Sequence, residues 1–389
     1  MGAPTPFESG RRGEKVRGDV WMSYEPSEEP LDLIFQSKLE TLFGDSTREL
    51  LLGLCHGAGV NTGSLTVEDT GAYPFVLRAR LESLLRLALS DNSLELPPEC
   101  NVTGEGVQES RPVRELPRRS RLYLPGNESK YMLNAAIHQP DGVILDLEDS
   151  VSPTAKHDAR SLIRHALWSL DFGSCERMVR INQGEEGLKD IQALGDAPFE
   201  LILIPKVETA EEVVAVAQAA PGKLLMPILE SAAGVQNSPA IAAAHESIVA
   251  LTLGLEDLTA DLGVVKTPKG METLFARSFV VQSAKAQGLQ AIDSVYGDVA
   301  DEIGLRASIQ EAKALGFEGK GCVHPRQIRV VHEEFAPSEK ELDKARKIVA
   351  AFEAAEAQGL GVVSLGSKMI DPPVVKRALN LVRQAEKDS

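Results

Sequence analysis

Short apolar runs alternate with amphipathic segments along the chain from residue 121 onward. The clearest run, Gly142-Val-Ile-Leu-Asp146, follows Pro140-Asp141 and stops at Glu148-Asp149. Such a run is typical of a strand that lies buried on both faces beneath helices. Helical patterns, for example over 210–220 and 275–287, separate this run from others like it. The predicted strands are residues 121–124, 142–147, 178–182, 201–204, 224–229, 249–254, 291–295 and 321–323.

Eight strands that alternate with helices predict an α/β fold, a (β/α)8 TIM barrel over residues 118–335. A doubly wound open sheet is the structural alternative. No G-x-G-x-x-G follows the first strand, which disfavours a dinucleotide-binding version of that sheet. Beyond the barrel, a helix over 338–358 and a final helix from Pro372-Pro373 are predicted, so residues 336–389 form a C-terminal helical extension.

The first part of the chain, residues 1–92, predicts a small N-terminal α+β domain. Residues up to about 17 are polar and are expected to be loose, and strands are predicted over 20–24, 31–36 and 65–67, with a turn at Pro26-Ser-Glu-Glu-Pro30. Ser46-Thr-Arg-Glu49 has the pattern of a capping box that opens a helix, and Gly57 would close it. A second helix is predicted from Pro74. Residues 93–117 are polar and rich in proline, which indicates a linker.

Composition narrows the class of protein. The 389 residues carry a formal net charge of −16, which disfavours nucleic acid or an anionic membrane as a partner. No apolar run approaches the roughly 20 residues that span a bilayer, and the N-terminus has no apolar signal segment. The four cysteines have no C-x-x-C spacing and indicate neither zinc nor a disulfide framework. A cytoplasmic protein is therefore expected.

Polar residues follow the predicted strands, where a barrel gathers them at one mouth. Several acids near one Arg and one Lys suit a hard divalent cation and an anionic substrate, and Mg²⁺ fits best. No histidine pair has zinc-ligand spacing. For Glu148 and Asp149, capping of the next helix is an alternative role. The residues in question are Pro125-Gly126-Asn127, Glu148-Asp149, Arg180 with Asn182, Pro205-Lys206, Glu230-Ser231, Gly254-Leu-Glu-Asp257, Asp293 and His324-Pro325.

Residues 119–386 resemble the family of the citrate lyase β subunit, which includes malyl-CoA and citramalyl-CoA lyases. The resemblance implies a (β/α)8 barrel that binds Mg²⁺ and works as an oligomer. It rests on Arg119-Ser-Arg-Leu-Tyr-Leu-Pro-Gly126, Leu145-Asp-Leu-Glu-Asp-Ser-Val151 with Lys156 and Ala159-Arg160, Val179-Arg-Ile-Asn182, Pro205-Lys206, Leu229-Glu-Ser231, Gly254-Leu-Glu-Asp257, Gly319-Lys320 with His324-Pro-Arg-Gln327, and Gly361-Val-Val-Ser-Leu365 with Lys368-Met-Ile-Asp371.

The resemblance also assigns roles to individual residues. Glu230 and Asp257 match the metal ligands, and Arg180 matches an arginine that binds substrate. Asp371 matches a residue that reaches a neighbouring subunit's mouth and transfers a proton. Glu148 and Asp149 complete the predicted catalytic set as acids that orient metal-bound water or Arg180. The predicted substrate and coenzyme A contacts are Arg121, Lys130, Arg180, Pro205 and Lys206.

Each of these roles has a simpler alternative. Glu230, Asp257 and Asp371 could cap helices, which does not conflict with metal binding by the first two. Arg180 could form a structural salt bridge to Glu148. Lys130 could be an ordinary solvated lysine, and His324 a hydrogen-bonded structural residue. Lys206 could form a Schiff base in another class of aldolase, a route that a metal site makes unnecessary.

Residues 17–90 resemble the acyl carrier protein, the γ subunit, of citrate lyase. The match rests on Gly18-Asp-Val20, Phe43-Gly-Asp45, Val67-Glu-Asp69 with Gly71-Ala72, and Leu77–Leu85. In that family a serine directly before the Gly-Asp-Val segment holds the prosthetic group, and Arg17 stands at this position here. Arginine cannot form the phosphodiester, so no covalent prosthetic group is expected.

The resemblance implies a Mg²⁺-dependent lyase that cleaves a citryl- or citramalyl-type thioester to an acetyl thioester and a 2-oxo acid. Coenzyme A would be part of the thioester substrate. The alternatives are a malyl-CoA-type lyase or thioesterase, and a β-like subunit whose first domain is an assembly module of a larger citrate lyase complex. The expected partners are the acyl-CoA substrate and further copies of the chain, as a trimer or hexamer with shared active sites, with a citrate lyase α-type subunit as a further candidate.

Overall fold

A computed structural model describes residues 6–99, 112–357, 363–365 and 368–387. The N-terminal part is a four-stranded sheet of order β1-β2-β4-β3 with two helices. Strands β1, β2 and β4 pair antiparallel, and β3 runs parallel to β4. In chain order the elements are β1 (Phe7–Gly10), β2 (Val20–Pro30), β3 (Asp32–Ser37), α1 (Glu40–Gly57), β4 (Thr62–Asp69) and α2 (Pro74–Leu89).

Three details of this part differ from the sequence prediction. Residues 7–10, expected to be loose, form β1 along β2. The predicted turn at residues 26–30 belongs to β2, whose pairing with β4 is irregular between Glu25 and Pro30. Helix α1 begins at Glu40 rather than at Ser46, whose hydroxyl donates to the carbonyl of Phe43. The capping-box pattern therefore lies within the helix, where serine often bonds back to the preceding turn.

The central part is a closed barrel of eight parallel strands of order β10-β11-β12-β5-β6-β7-β8-β9, which confirms the predicted TIM barrel. All eight predicted strands are present. Their bounds are β5 (Ser120–Pro125), β6 (Gly142–Asp146), β7 (Glu176–Arg180), β8 (Leu201–Ile204), β9 (Leu224–Leu229), β10 (Ala250–Leu253), β11 (Gln290–Asp293) and β12 (Gly319–Cys322).

Helices follow the barrel strands and cover their outer faces. Side chains such as Ile144, Met178 and Met226 fill the interior, while the alternate positions pack against the helices, as strand geometry requires. The helices are α3 (Ser129–Met132), α4 (Lys156–Ser169), α5 (Gly184–Leu194), α6 (Ala210–Ala219), α7 (Ala232–Gln236), α8 (Ser238–Ala242), α9 (Leu255–Asp261), α10 (Leu274–Ala286), α11 (Glu302–Leu315) and α12 (Arg326–Phe335), with 3₁₀ turns at Ala135–His138 and Pro153–Ala155.

After the barrel come α13 (Glu339–Ala357), β13 (Val363–Leu365), β14 (Lys368–Ile370) and α14 (Pro372–Lys387). Helices α13 and α14 share an apolar cluster of their own that includes Ile348, Ile370 and Val375. The predicted C-terminal helices are therefore present. Gly361 and Val362, which begin the family-like segment Gly361-Val-Val-Ser-Leu365, lie outside the described residues. No helix in the described parts of the chain is long and apolar enough to cross a membrane.

The N-terminal end of the barrel is closed by buried ion pairs. Arg118 makes two hydrogen bonds of 2.7 Å to Glu176, and both side chains are almost fully buried. Arg177 pairs with Glu200 on the neighbouring strand in the same way. Buried pairs with bidentate geometry satisfy the charges that strand burial would otherwise leave without partners. These ion pairs therefore stabilise the N-terminal end of the barrel.

Helix α2 joins the N-terminal part to the barrel by packing against α4. It buries charged residues because it lies between the small sheet and the barrel wall. The Glu82 carboxylate accepts from the Leu96 amide at 2.8 Å, from Arg164 at 2.9 Å and from His165 at 3.1 Å. A second contact connects Asp158 of α4 with the hydroxyl of Ser9 at 2.8 Å and the amide of Gly10. The carrier-like part is thus docked on the barrel of its own chain.

We expect this junction to weaken in acid. Burial lowers the pKa of His165 below its ordinary value of about 6.5, so the folded protein keeps the ring neutral. The unfolded chain takes up a proton as the pH falls through about 6.5, while the folded protein resists it, so stability is present above this pH and is lost below it. Each tenfold difference in proton affinity corresponds to about 1.4 kcal/mol.

In His165→Gln, whose amide can still donate to Glu82, the fall in Tm between about pH 7.5 and about pH 5.5 should be smaller than in the wild type. Thermal unfolding at both pH values measures this. Exposed His56→Gln is the matched control and should follow the wild type. An equal fall in all three proteins would contradict the prediction.

Candidate active site

A cavity of about 380 Å³ lies at the carboxyl ends of the barrel strands. It gathers residues from seven of the eight barrel strands or from the segments that follow them, including the predicted Arg121, Asp149, Arg180, Glu230 and Asp257. A second cavity of about 510 Å³ adjoins it and is lined by Pro205, Lys206, Glu230 and Asp257. Because Glu230 and Asp257 line both, the two cavities meet at these carboxylates.

Arg180 is anchored by the strand beside it. Asp146 and Arg180 lie opposite each other in the register of β6 and β7. The guanidinium donates to both oxygens of Asp146 at 2.7 and 2.8 Å, and its third nitrogen lies 2.9 Å from Glu148. Burial opposes its charge, but Asp146 raises the pKa of Arg180 above its ordinary value. Arg180 is therefore a fixed cation at the cavity wall.

Glu148 joins Arg180 to Lys206. Its carboxylate lies 3.1 Å from the Lys206 ammonium, and the more exposed Asp149 lies 3.6 Å from the same group. Burial raises the pKa of Glu148, and the neighbouring cations oppose that rise. Asp146 accepts two amides of the following turn, from Glu148 at 2.9 Å and from Ser150 at 3.2 Å, and Glu148 accepts the Asp149 amide at 3.1 Å. The turn is thus fixed with the carboxylates of Glu148 and Asp149 beside the cations.

Lys206 has an unusual backbone. Its φ is +50°, the left-handed region that costs a non-glycine residue about 1 kcal/mol. In this conformation its amide donates to Glu230 at 2.8 Å. The ion pair with Glu148 outweighs burial and raises the pKa of the Lys206 amine. A protonated amine is not a nucleophile, so this environment argues against the Schiff-base alternative.

Glu230 is buried and packs closely against Gly254. Burial together with the charge of Asp257 raises the pKa of its carboxyl group to about 7, although the Lys206 amide opposes the rise. A Cβ at Gly254 would lie 2.3 Å from Glu230 Oε2, so the glycine makes room for the carboxylate. Asp257 lies in the first turn of α9, where the helix dipole favours an acid.

These two carboxylates fit a divalent cation with oxygen ligands. Mg²⁺ is usually held by one or two carboxylates and keeps other positions for water and substrate oxygens. Within the described ranges, no group of three or more His, Cys, Asp or Glu residues is arranged to hold a metal ion. Glu230 and Asp257, buried and half-buried at the junction of two cavities, offer the smaller ligand set that Mg²⁺ needs.

Three residues singled out from the sequence lie away from this cluster. Lys130 lines a third cavity of about 430 Å³, half-exposed, with its ammonium 3.2 Å from Glu128 and over the ring of Tyr131. Asp371 is exposed at the start of α14 and is not among the residues that line the mouth cavities. His324 also lines the third cavity, and its Nδ1 accepts from the Arg326 amide at 3.1 Å.

Three contributors stand in the motifs that carry the family resemblance, but the sequence interpretation gave them no role. Asp146 anchors Arg180, and Tyr123 lies beneath that guanidinium, 5.3 Å from ring to charge. Lys156 donates to the carbonyls of Leu147 and Glu148 at 2.9 and 3.1 Å and so holds the acidic loop. Strand periodicity could have indicated Asp146, because it lies two residues before Glu148 and therefore on the same face.

Fold and site together define a carbon–carbon lyase built on a (β/α)8 barrel. Residues 119–325 match the model of the HpcH/HpaI aldolase/citrate lyase family, and the chain belongs to this family. Residues 13–88 match an acyl carrier model described as malonate decarboxylase delta subunit (MdcD), which confirms the carrier-like character of the N-terminal part.

Curated relatives and solved structures agree with this placement. Citrate lyase subunit beta of Escherichia coli (strain K12) is 38% identical over 282 residues, 69% of this chain and 93% of that protein. A (3S)-malyl-CoA thioesterase of Cereibacter sphaeroides is 35% identical over 272 residues, 69% of this chain and 95% of the relative. The crystal structure of CitE from Mycobacterium tuberculosis with magnesium, acetoacetate and coenzyme A has a TM-score of 0.61 at 32% identity, and covers 70% of this chain and 100% of that one.

The role of Gly254 can be tested directly. Its φ of −106° suits any residue, so Gly254→Ala acts only through the clash with Glu230. Displacement of a site group by about 1 Å can cost about 10²-fold in rate, and we expect a loss of that order in kcat/KM with an unchanged Tm. Gly297→Ala is the control, since a Cβ there meets no atom within 4 Å. Equal activity of the two variants would show that the position of Glu230 does not matter.

Proposed function

We propose that this protein is a Mg²⁺-dependent lyase that cleaves a 3-hydroxy-3-carboxyacyl-CoA thioester, of the citryl or citramalyl type, to acetyl-CoA and a 2-oxo acid. The observation that carries the proposal is the pairing of two carboxylates, Glu230 and Asp257, with the anchored cation Arg180 in one cavity. The relatives named as citrate lyase β subunits, and the CitE structure with magnesium and coenzyme A, support it.

The reaction is a retro-Claisen cleavage. The carbinol hydroxyl loses its proton, the bond between the carbinol carbon and the α carbon breaks, and its electron pair passes into a thioester enolate. A proton then adds to the enolate carbon and gives the acetyl thioester. The chemistry needs a cation at the oxygens of the oxo-acid half, stabilisation of the enolate oxygen and a proton donor.

Glu230 and Asp257 would hold the metal, and Mg²⁺ bound there supplies Lewis-acid polarisation of the hydroxy-acid oxygens. The Lys206 amide fixes one oxygen of Glu230, so this carboxylate is oriented before any ligand arrives. Gly254 leaves the space that this orientation requires. These contacts preorganise the ligand set.

Arg180 is suited to bind an anionic oxygen of the substrate. Two of its nitrogens are used by Asp146, so the guanidinium cannot turn, and Glu148 balances part of its charge. A fixed cation of this kind stabilises negative charge without reorganising during the reaction. In this proposal Glu148 and Asp149 position Arg180 and Lys206, and Pro205 and Lys206 line the second cavity where the thioester arm enters.

The N-terminal part fits a structural role. Arg17 is exposed, and the carbonyl of adjacent Gly18 accepts from the hydroxyl of Ser129 at 3.0 Å, where α3 begins after β5 at the mouth end of the barrel. The buried contacts of Glu82 and Asp158 fix this part to α4. We therefore favour free coenzyme A thioesters as substrates, with Lys130 as a phosphate contact. An assembly role toward an α-type subunit is the second candidate for this domain.

A malyl-CoA-type lyase or thioesterase is the other candidate activity. The 35% identity to a (3S)-malyl-CoA thioesterase of Cereibacter sphaeroides favours it. The substituents on the carbinol carbon of these substrates differ by only a few pocket contacts. Assays with citryl-, citramalyl- and malyl-CoA in parallel, each with and without Mg²⁺, separate the candidates by product: acetyl-CoA with a 2-oxo acid from a lyase, and free coenzyme A with a hydroxy acid from a thioesterase.

Asp257→Ala should abolish Mg²⁺-dependent cleavage and weaken Mg²⁺ binding, while the fold remains intact. The carboxylate is half-buried at the cavity junction, and its removal leaves Glu230 alone to hold the ion. Calorimetric titration with Mg²⁺ and the thioester assay measure the two effects. Exposed Glu211→Ala is the control. Near-full activity of Asp257→Ala at saturating Mg²⁺ would contradict the metal assignment.

We further propose that Asp371 donates the proton to the enolate in a neighbouring subunit's site. The residue is exposed at the start of α14, on a C-terminal unit with its own apolar cluster, and it does not line the mouth cavity of its own chain. This placement supports shared sites in a homo-oligomer, such as a trimer or hexamer.

If Asp371 acts across subunits, two inactive variants should complement each other. Asp371→Asn and Glu230→Gln are each expected to be inactive, because one lacks the proton donor and the other a metal ligand. After subunit exchange, mixed oligomers contain sites with both residues intact, and partial activity should return. Native mass spectrometry verifies the mixed oligomers, and their complete inactivity would rule out a shared site.

A further inference from the structure

Arg121 lies at the floor of the mouth cavity, and two of its three guanidinium nitrogens have no hydrogen-bond partner among the described residues. It is the second residue of β5, its side chain is fully buried, and it lines the same cavity as Glu230 and Asp257. One terminal nitrogen contacts Met226 Sδ at 2.9 Å and Thr252 Oγ1 at 3.2 Å. The other terminal nitrogen and Nε have no hydrogen-bond partner among the described residues.

Other buried arginines of this protein are paired with carboxylates. Arg118, three residues earlier, makes a bidentate pair with Glu176. Arg121 has no such pair among the described residues, although a buried charge without a partner is costly. The comparable paired residues are Arg80 with Asp19, Arg118 with Glu176, Arg164 with Glu82, Arg177 with Glu200 and Arg180 with Asp146.

The surroundings of Arg121 do not supply the missing negative charge. The carboxylate of Glu176 is near enough to act electrostatically on Arg121, but Arg118 already neutralises its charge. Burial raises the pKa of the neighbouring Cys322 thiol to about 12, so the thiol is neutral near pH 7. Burial also raises the pKa of the Tyr123 hydroxyl. The cation therefore faces a cavity, and the cavity is where a compensating anion can enter.

The described residues that surround Arg121 at the cavity floor offer no carboxylate to pair with it. Gly321 pairs with Arg121 on the adjacent strand. A Cβ at Gly321 would lie 2.7 Å from Val295 and 3.1 Å from the Tyr123 ring, so these side chains already fill the space over the glycine, and this position offers Arg121 no side-chain partner. Apolar Ile228 and the hydroxyl of Thr252 complete this part of the lining. A small anionic group fits such a place better than a methyl group does, because a methyl group would leave the guanidinium unpaired.

We infer that Arg121 binds a second carboxylate on the oxo-acid half of the thioester and so selects a carboxymethyl substituent at the carbinol carbon. This inference rests on the proposed function and narrows it, since methyl or hydrogen at that carbon cannot pair with the cation. The preferred cleavage then gives acetyl-CoA and a 2-oxo dicarboxylic acid. Two free donors, Nε and one terminal nitrogen, match the two oxygens of a carboxylate.

Kinetics with three thioesters test the inference. Citryl-, citramalyl- and malyl-CoA carry carboxymethyl, methyl and hydrogen at the same carbon. The wild type should have its highest kcat/KM with citryl-CoA. Arg121→Met, which keeps an unbranched apolar side chain, should lose about 10²-fold with citryl-CoA and change by less than about threefold with the other two. Arg121→Lys should recover part of the loss.

Met226→Leu is the matched control, because it removes the sulfur contact of Arg121 and keeps the cation. It should change all three substrates by a similar small factor. Losses of similar size on all three substrates in Arg121→Met would overturn the inference, and so would a wild type that cleaves citramalyl- or malyl-CoA but not citryl-CoA. The proposed lyase function would survive both results.

Stability and anion binding give a readout that does not need turnover. A buried cation without a carboxylate partner destabilises the ligand-free protein. Arg121→Met should therefore raise the Tm by roughly 2–4 °C. With Mg²⁺ present, oxaloacetate should raise the wild-type Tm more than pyruvate does, and Arg121→Met should lose that difference. A lower Tm for Arg121→Met, with both anions still acting as in the wild type, would mean that Arg121 is structural. If no thioester is cleaved at all, these measurements still decide the role of Arg121.

Discussion

The active end of this barrel depends on the ion pair between Asp146 and Arg180. The two residues end neighbouring parallel strands and lie opposite each other in register, so the bidentate geometry follows from the sheet itself. Asp146 also accepts the two amides of the turn that carries Glu148. One buried carboxylate thus fixes both the cation that faces the cavity and the loop whose acid reaches Lys206. Removal of either partner of such a pair leaves an uncompensated buried charge, which typically costs 3–5 kcal/mol.

A second constraint acts through helix α2. This helix buries most of its circumference, including Arg80, Glu82 and Arg86. A helix buried on all sides needs partners for its charges, and α4 of the barrel supplies them through Arg164 and His165. The same docking brings Gly18 against the first residue of α3, Ser129. The domain is therefore part of the architecture at the barrel mouth, and not a mobile appendage.

The sequence allowed the eight barrel strands to be predicted, because each contains an apolar run, and strands 201–204 and 224–229 match to the residue. Strand starts were missed where charged residues are buried by pairing, as with Glu176-Arg177 in β7 and Lys320 in β12. A hydrophobic pattern cannot reveal partners that lie far away in the chain. The grouping of Glu230, Asp257 and Arg180 was predictable from strand ends, whereas the unpaired state of Arg121 depends on what the other strands leave around it.

Charge is distributed along the barrel axis in a way that separates stability from function. At the closed end, carboxylates and guanidiniums pair one to one and seal the strands, as Arg118 does with Glu176. At the open end, Lys206 occupies a strained backbone, Glu230 has its pKa raised by burial to about 7, and Arg121 keeps donors without partners. Each of these features costs stability in the ligand-free protein. Together they distinguish the open end of the barrel from the closed end, and in the proposed function a divalent cation and a substrate carboxylate would be bound there.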